Sequence, residues 1–229
     1  MKATRLTEKA EDTRTRILNA ALALFRRKGF EQTTMREIAT EAGVSLGNAY
    51  YYFESKEALV MAFYERAHTE LPSRVAAAVL PAAGLEEQLS AIIDSKFSYF
   101  APNRAFLGAL FRHAADPSNP LSPFSTETRH IREADQEHFA QALKDSGMHV
   151  SNDLAPHLPK LLWLYQMGLI LFWIYDRSPR QRGTALLQKR SLTLLVNGLK
   201  LIRLPILRPL RKRIVELVIA VEGAGDDDA

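Results

Sequence analysis

An all-α fold is predicted for this chain of 229 residues. Apolar residues recur at helical spacing along the chain, the alternation typical of strands is absent, and Pro or Gly interrupts the pattern at intervals. Apolar residues make up 47% of the sequence and charged residues 24%, so a chain of this length can bury a sizeable core. We therefore expect a small helical head followed by a larger helical body.

The first predicted helix runs from about Asp12 to Lys28 and follows a flexible segment, residues 1–11. Its face carries apolar residues at helical spacing. Gly29 is expected to end it, because glycine readily adopts the left-handed conformation found after a helix. Thr33 or Thr34 then caps a short second helix, since a hydroxyl can accept a hydrogen bond from the free amides of the first turn.

Two further helices complete the head and begin the body. Ser45 is placed to cap a third helix, Leu46 to Tyr52, and Ser55 to cap a long fourth helix. Pro72 is expected to mark the end of that fourth helix, because proline removes a backbone donor and clashes with the preceding turn.

The rest of the chain reads as helices separated by Pro- and Gly-containing segments, with an acidic tail over residues 222–229 that is expected to be disordered. We expect domains over residues 12–56 and 57–221. The predicted helices of the body are a fifth from Leu85, a sixth after the segment 101–103, a seventh that ends near Gly147, and three more over Pro159–Tyr175, Thr184–Leu204 and Leu210–Val221.

Composition limits the compartment and the partners. Cysteine is absent, which excludes disulfides and thiolate metal sites. The charged N-terminus has no apolar stretch typical of a secretory signal, and the apolar run Leu161–Tyr175 is short for a membrane span, so a cytoplasmic protein without a membrane partner is expected. The net charge of +4 permits an anionic partner. The segment 177–213 holds eleven basic residues and no acidic one. Such a run is more typical of solvated helix faces, and contact with nucleic acid or a membrane surface is the alternative.

The informative motif is EIATEAGVSLGNAYYYF, residues 37–53, in which two short helices flank a turn. Ala39 is small where the second helix must approach closely. Gly43 supplies a positive φ in the turn, and Ala49 is small and apolar where the next helix crosses. This spacing is the signature of a helix-turn-helix, whose second helix enters the major groove of DNA.

Residues 13–59, from TRTRILNAALALF to YYYFESKEAL, resemble the N-terminal DNA-binding region of TetR-type repressors. Residues 80–229 are similar only to the general helical plan of that family's body, where ligand binding and dimerisation occur. The resemblance implies a dimeric regulator that binds a palindromic operator on double-stranded DNA and is released by a small molecule, and the aromatic residues of the body predict that this molecule is apolar or aromatic. It implies neither an enzyme nor a cofactor.

The resemblance also implies which residues contact DNA. The residue types suit these roles, because hydroxyls and helix N-termini can hold phosphates and an Asn side chain can pair with an adenine edge. Leu46 stands where the family often has Lys, which could weaken non-specific binding or place a methyl group against thymine. The tyrosines could also be core or rim aromatics. The expected contacts are Thr34, Arg36, Ser45, Leu46, Gly47, Asn48, Tyr50, Tyr51 and Lys56.

The body holds more aromatic residues than a DNA-binding head requires. Apolar walls with a few polar groups describe a small-molecule site, although they also describe an ordinary core. The expected effector contacts are Phe97, Phe100, Phe111, His113, Trp163, Gln166, Met167 and Ile170.

The two strongly apolar helices, over 159–175 and 184–204, are apolar around too much of their circumference for one core face. A second copy of the chain would bury the other side. Gly168 and Gly198 would then permit close helix approach, either across the dimer or inside one subunit. The expected dimer contacts are Leu164, Gly168, Leu171, Leu195, Gly198 and Ile202.

Three alternatives remain at this point. His130, Glu133, Glu137 and His138 share neighbouring helical faces and could in principle hold a metal ion, but a solvated helix surface is the expected explanation, and we expect no metal site. A body that docks a partner protein in place of a small ligand is the second alternative. The third is a helical enzyme with an incidental helix-turn-helix, but no sequence feature is typical of a catalytic centre.

Overall fold

The computed structural model describes residues 2–78, 83–114, 116 and 118–224, except for the side chains of residues 2–7, 112–114 and 221–224. Within these residues the chain forms helices and no strand, which confirms the predicted all-α fold. A single turn of 3₁₀ helix precedes each of the sixth, ninth and tenth helices. The helices are α1 (Lys2–Lys28), α2 (Met35–Glu41), α3 (Leu46–Tyr52), α4 (Lys56–Ala78), α5 (Leu85–Phe100), α6 (Arg104–Ala114), α7 (Arg129–Asp145), α8 (Leu158–Tyr175), α9 (Arg182–Leu201) and α10 (Arg208–Ala224).

The chain folds as two compact units. The first contains Met1–Leu71 and Tyr99–Arg132, and the second contains Pro72–Ser98 and Glu133–Ala229. The domain boundary predicted after residue 56 therefore falls inside the first unit, which also takes in α6. The reason is aromatic packing that no short-range sequence pattern reveals.

An aromatic cluster forms the core of the first unit. The ring of Phe106, in α6, stacks on that of Phe25, in α1, with 4.9 Å between centroids, and lies 6.2 Å from the ring of Phe63, in α4. Phe30 completes the cluster at 5.2 Å from Phe25. Phe25, Phe63 and Phe106 are at most 2% exposed. The head that carries the helix-turn-helix therefore depends on residues beyond position 100 for its core.

The core of the second unit is built from four helices. Two polar contacts reinforce it: the Lys96 ammonium, in α5, pairs with the Asp135 carboxylate, in α7, at 2.5 Å, and the Gln188 amide, in α9, donates to Asp94 at 2.8 Å. The main buried apolar residues are Leu85, Leu89 and Ile92 of α5, Phe139 and Ala142 of α7, Leu162 and Trp163 of α8, and Leu192 and Val196 of α9.

Helix α8 is the one described helix whose length and hydropathy would allow it to cross a membrane, and 33% of it is buried. Its buried residues, including Leu162 and Trp163, pack on α5, α7 and α9. This packing is that of a core helix, as predicted for this segment.

Some helix limits differ from those predicted. The sequence predicts the start of the first helix near Asp12, after the segment 1–11, whereas helix α1 begins at Lys2. Neither Pro nor Gly precedes Gly29, and local contacts support the early turns: Thr13 donates its hydroxyl to the Lys9 carbonyl at 2.9 Å, and Arg16 pairs with Asp12 at 3.4 Å. Nothing in the sequence therefore stops the helix before Gly29, which follows its end with a φ of +89°.

Other helix limits also differ from those predicted, and proline placement explains two of these differences. Pro72 lies inside α4 and does not end it, because the residues that follow are compatible with a helix and only one backbone hydrogen bond is lost. Helix α9 ends at Leu201 and not at Leu204. Pro209 lies in the first turn of α10, where its missing N–H costs nothing. Helix α10 continues through residue 224, and residues 225–229 of the predicted acidic tail lie outside the described residues.

Candidate functional site

Helices α2 and α3 flank a tight turn, as the sequence predicts. Gly43 has a φ of +65°, a conformation that side chains disfavour, and the Val44 amide donates to the Ala39 carbonyl at 3.0 Å. Thr34 and Ser45 cap the two helices. The Thr34 hydroxyl accepts a hydrogen bond from the backbone N–H of Glu37, and the Ser45 hydroxyl accepts one from the backbone N–H of Asn48. The helix-turn-helix geometry is therefore fixed by hydrogen bonds within the motif itself.

Packing turns one face of α3 inward. Ala49 is fully buried, and Ala39 of α2 is 3% exposed, so the small side chains let the two helices approach closely. Phe53, at the end of α3, is also buried. Because the inner face is fixed, the opposite face of α3 must point to solvent.

The solvent face of α3 carries most of the predicted DNA contacts. Gly47 and Tyr51 lie opposite Ala49, and Tyr51 is 81% exposed. Tyr50 is also exposed, and Asn48 is half-buried on the flank of the helix. This exposure argues against a core role for these two tyrosines.

Gly47 is not required by the fold. A Cβ atom built at this position meets nothing within 4 Å, and the residue lies in the exposed first turn of α3. The free protein would therefore accept a side chain here. The missing side chain leaves room for a molecule that approaches the backbone closely, as DNA does.

At the start of α2, the cap already holds a negative charge. The Glu37 carboxylate accepts from the Thr34 amide and from the Thr34 hydroxyl, both at 2.9 Å, and pairs with Lys28. These hydrogen bonds, led by that from Lys28, lower the pKa of Glu37 to about 2. Glu37 is thus ionised at physiological pH, and it occupies the hydroxyl of Thr34 that the sequence predicted to contact a phosphate.

Ion pairs that the sequence did not reveal hold the motif against α1. Arg27 donates to both carboxylate oxygens of Glu41, at 3.1 and 2.9 Å. Together with the pair between Lys28 and Glu37, this contact ties the end of α1 to α2. Neither pair has a recurrent helical spacing, because its members lie on different helices. Sequence reasoning had no signal for them.

Lys56 makes contacts inside the first unit. Its ammonium donates to the Phe30 carbonyl at 2.8 Å and to the Glu31 carbonyl at 3.4 Å, and it lies 4.5 Å from the centroid of the Phe30 ring. These contacts link α4 to the loop that follows α1. A phosphate contact, predicted from the sequence, would compete with them.

We expect Lys56→Met to lower the stability of the first unit by about 1–3 kcal/mol, because the two carbonyls and the ring lose their cation. The salt dependence of DNA binding should not change. Denaturant unfolding and DNA titrations at several salt concentrations measure the two effects. Unchanged stability with a salt slope reduced by about 1 would instead show that Lys56 neutralises a phosphate.

The predicted effector residues are divided between the two units. Phe100 packs against Phe63, at 5.7 Å, and Tyr99, at 5.3 Å, in the first unit, which also contains Phe111. The side chain of His113 lies outside the described residues. The predicted contacts in the second unit are Phe97, Trp163, Gln166, Met167 and Ile170.

In the second unit, α8 gathers these residues around its buried face. The ring of Phe97 stacks on that of Trp173 at 5.3 Å, a contact that the sequence analysis missed. Trp163 is 3% exposed, Met167 is partly buried beside it, and Gln166 is fully buried. The sequence had singled out Gln166 as a polar residue on an apolar helix. The structure places this polar side chain in the apolar interior of the second unit.

The outer faces of α8 and α9 expose apolar residues at helical spacing. Leu164 and Leu171 are about two-fifths exposed, and Gly168 lies between them. We call this exposed apolar surface of α8 and α9 the α8–α9 stripe. Leu195 and Ile202, two other predicted contacts, are only half-buried and pack partly on the core. The stripe consists of Leu164, Gly168, Leu171, Phe172 and Tyr175 of α8 and Leu187, Leu194, Gly198 and Leu201 of α9.

Both glycines of the α8–α9 stripe are exposed. A Cβ atom at Gly168 or at Gly198 meets nothing within 4 Å. Contacts inside the subunit therefore do not explain either glycine.

The basic segment 177–213 is largely solvated. Its arginines and lysines are exposed except for Arg211, which is half-buried. Arg211 donates to the Asp153 carboxylate at 2.9 Å and to the Ile202 carbonyl at 3.1 Å. This exposure is compatible with a solvated surface and with a docking surface alike.

Two family models match the chain. The model described as "Bacterial regulatory proteins, tetR family" matches residues 17–63, which include the helix-turn-helix. The model described as "Tetracyclin repressor-like, C-terminal domain" matches residues 88–215, more than half of the chain. The two matches cover parts of both compact units.

Curated relatives and a solved structure agree with these matches. The uncharacterized HTH-type transcriptional regulator YfiR of Bacillus subtilis is 42% identical over 126 residues, 54% of this chain and 53% of that protein. The HTH-type transcriptional regulator UidR of Escherichia coli K12 is 47% identical over 53 residues, 23% of this chain and 27% of that protein. The chain thus spans less than two thirds of either relative. The structure of Thermus thermophilus FadR, a TetR-family repressor in complex with lauroyl-CoA, superposes with a TM-score of 0.58 and 26% identity, covering 81% of this chain and 94% of that one.

Proposed function

The chain belongs to the TetR family of bacterial regulatory proteins, and on that premise we propose that it is a dimeric repressor released from its operator by a small molecule. That it is a DNA-binding transcription regulator and not an enzyme follows from the family and its relatives. The repressor role, the operator, the dimer and the effector are the proposed parts. A cytoplasmic location is part of the same proposal.

The solvent face of α3 carries the DNA-binding part of the proposal. It combines a glycine that the fold does not need, Gly47, with the exposed rings of Tyr50 and Tyr51 and a polar side chain at Asn48. We infer that α3 enters the major groove, that Asn48 contacts a base edge and that the tyrosines contact phosphates. Leu46, half-buried at the start of α3, offers an apolar contact for a thymine methyl group.

We expect Asn48→Ala to weaken operator binding by about 1–3 kcal/mol and binding to random DNA much less, because it removes a base contact. Arg36→Ala is the matched variant. Arg36 is exposed on α2, and its loss should weaken binding to all sequences alike and reduce the salt slope by about 1. An operator selected from random duplexes, followed by titrations against operator and random DNA, measures both. Equal operator-to-random ratios in the two variants would contradict the assignment.

The α8–α9 stripe supports the proposed dimer. Leucines exposed in rows on two adjacent helices are costly to leave in water. A second copy that packs the same surface against it would form a two-fold, four-helix contact, and the exposed Gly168 and Gly198 would let the helices approach closely. Two heads placed in this way could bind half-sites about 34–36 Å apart.

The apolar and aromatic residues on the buried side of α8 support the effector part. Phe97, Trp163 and Met167 supply walls, and Gln166 supplies a polar group. In FadR of Thermus thermophilus the ligand is lauroyl-CoA, a molecule with a long apolar chain. We infer that the effector here is apolar or aromatic as well. A coupling of about 1–3 kcal/mol between effector and operator would suffice for release.

The competing function is a DNA-binding protein of the same fold that a partner protein controls. Its docking surface would be the basic segment 177–213, which is exposed and positively charged. Release of the operator by small molecules in the absence of any other protein would exclude this alternative.

A further inference from the structure

Gln166 is a buried amide without a hydrogen-bonding partner. Its side chain is 0% exposed, and among the described residues no group hydrogen-bonds to either its Nε2 or its Oε1. Buried polar side chains are nearly always paired, because an amide loses its water partners on burial. Gln166 therefore requires a specific explanation, which the packing of the second unit does not supply.

Gln188 shows what the same side chain does when it is structural. It is 6% exposed on α9, in the same unit, and its Nε2 donates to Asp94 at 2.8 Å. A buried glutamine side chain in the second unit can thus form a hydrogen bond with a neighbouring residue. By contrast, neither the donor nor the acceptor of the Gln166 amide is paired among the described residues.

Aromatic residues flank the Gln166 amide along α8. Trp163 lies one helical turn before it and Trp173 two turns after it, so all three share the buried face of the helix. Phe97 of α5 stacks on Trp173 at 5.3 Å. A flat aromatic group is the shape that such rings accommodate best.

The charged side chains of the second unit limit which ligands could bind beside Gln166. In the described part of the second unit, the buried ammonium of Lys96 pairs with the partly buried carboxylate of Asp135, so neither charge is available to an ionised ligand. A charged group beside Gln166 would be desolvated without a counter-ion. The ligand that fits these surroundings is uncharged.

We propose that Gln166 is the polar anchor of the effector site and that the effector is an uncharged aromatic molecule with a hydrogen-bond donor and acceptor side by side, as in a carboxamide or lactam. Such a group satisfies both atoms of the Gln166 amide at once. The proposal rests on the effector-responsive function proposed above, and it names the chemical class that the effector must have.

The test compares two probes of nearly equal size, benzamide and isopropylbenzene, on the purified full-length protein. The chain has only two tryptophans, Trp163 and Trp173, so tryptophan fluorescence reports binding beside Gln166. Gln166→Leu should shift the ratio of the two dissociation constants against benzamide by about tenfold or more, because the amide loses its partner. Without ligand, the melting temperature of Gln166→Leu should equal or exceed that of the wild type, since an unpaired group has been removed.

Gln188→Leu is the matched control. It should lower the melting temperature, because Asp94 loses one of its two hydrogen-bond donors, and should leave the probe ratio unchanged. If Gln166→Leu melts below the wild type, Gln166→Met, which keeps the length of the side chain, provides the measurement. An unchanged ratio in the folded variants, or the absence of quenching by both probes up to their solubility, would overturn the proposal.

Release of labelled operator is measured separately and keeps this proposal distinct from the proposed function. A shifted probe ratio without release of operator by benzamide would support the anchor and count against effector control of DNA binding. Release of operator by benzamide from Gln166→Leu as readily as from the wild type would overturn the anchor and leave effector control standing.

Discussion

Replacing Leu171 and Leu194 together by glutamate is expected to convert the proposed dimer into a monomer and to weaken operator binding about 10²–10⁴-fold. Two heads on one dimer bind with the benefit of effective concentration, which a monomer loses. Leu194 is 72% exposed and Leu171 is 42% exposed, so neither change should disturb the core of the subunit. In a two-fold interface each glutamate appears twice, and the carboxylates would be desolvated without partners.

Sedimentation at micromolar concentration and operator titrations measure this effect. Gly168→Leu should act in the same direction, because its side chain meets open space inside the subunit and can clash only with a partner. Ile206→Glu with Leu217→Glu is the control, since both residues are exposed but lie outside the α8–α9 stripe. A well-folded monomeric wild type that binds a palindromic site tightly would refute the dimer.

The helix-turn-helix could be predicted closely because its signals are local. Thr34 and Ser45 cap their helices within three residues, and the positive φ of Gly43 is a requirement of one position. Each of these effects acts through hydrogen bonds or sterics between near neighbours in the chain. The limits of α3 were therefore predicted to the residue.

The body could be predicted only in outline. Helix α8 is apolar on every side, so its periodicity does not distinguish Leu162, which is buried, from Leu164, which is exposed. An excess of aromatic residues likewise does not say which unit each ring joins. Phe97 contributes to the second unit and Phe100, three residues later, packs against Phe63 in the first.

Polar contacts between residues of different helices could not be predicted from the sequence either. The ammonium of Lys56 binds carbonyls about 26 residues away in the chain, where no spacing rule applies. Gln166 stood out as a polar residue on an apolar helix. That its amide has no partner among the described residues is a property of packing alone.

Phe106→Ala is expected to destabilise the first unit by about 3–5 kcal/mol, the usual cost of removing a buried aromatic ring from a core. Phe106 is 1% exposed, and its ring meets those of Phe25, Phe30 and Phe63, so its removal leaves a cavity that three helices border. Denaturant unfolding followed by circular dichroism measures the loss. Operator binding should fall at temperatures where the variant begins to unfold.

Phe124→Ala is the matched control, because Phe124 belongs to the same unit but is 44% exposed, and its loss should cost about 0.5 kcal/mol or less. The comparison decides where the DNA-binding head ends. If Phe106 stabilises the head as its packing indicates, a fragment that stops at residue 56 exposes the ring of Phe25 and should not fold, although it contains the whole helix-turn-helix. A cost below about 1 kcal/mol for Phe106→Ala would instead show that the head is complete without α6, as the sequence alone had suggested.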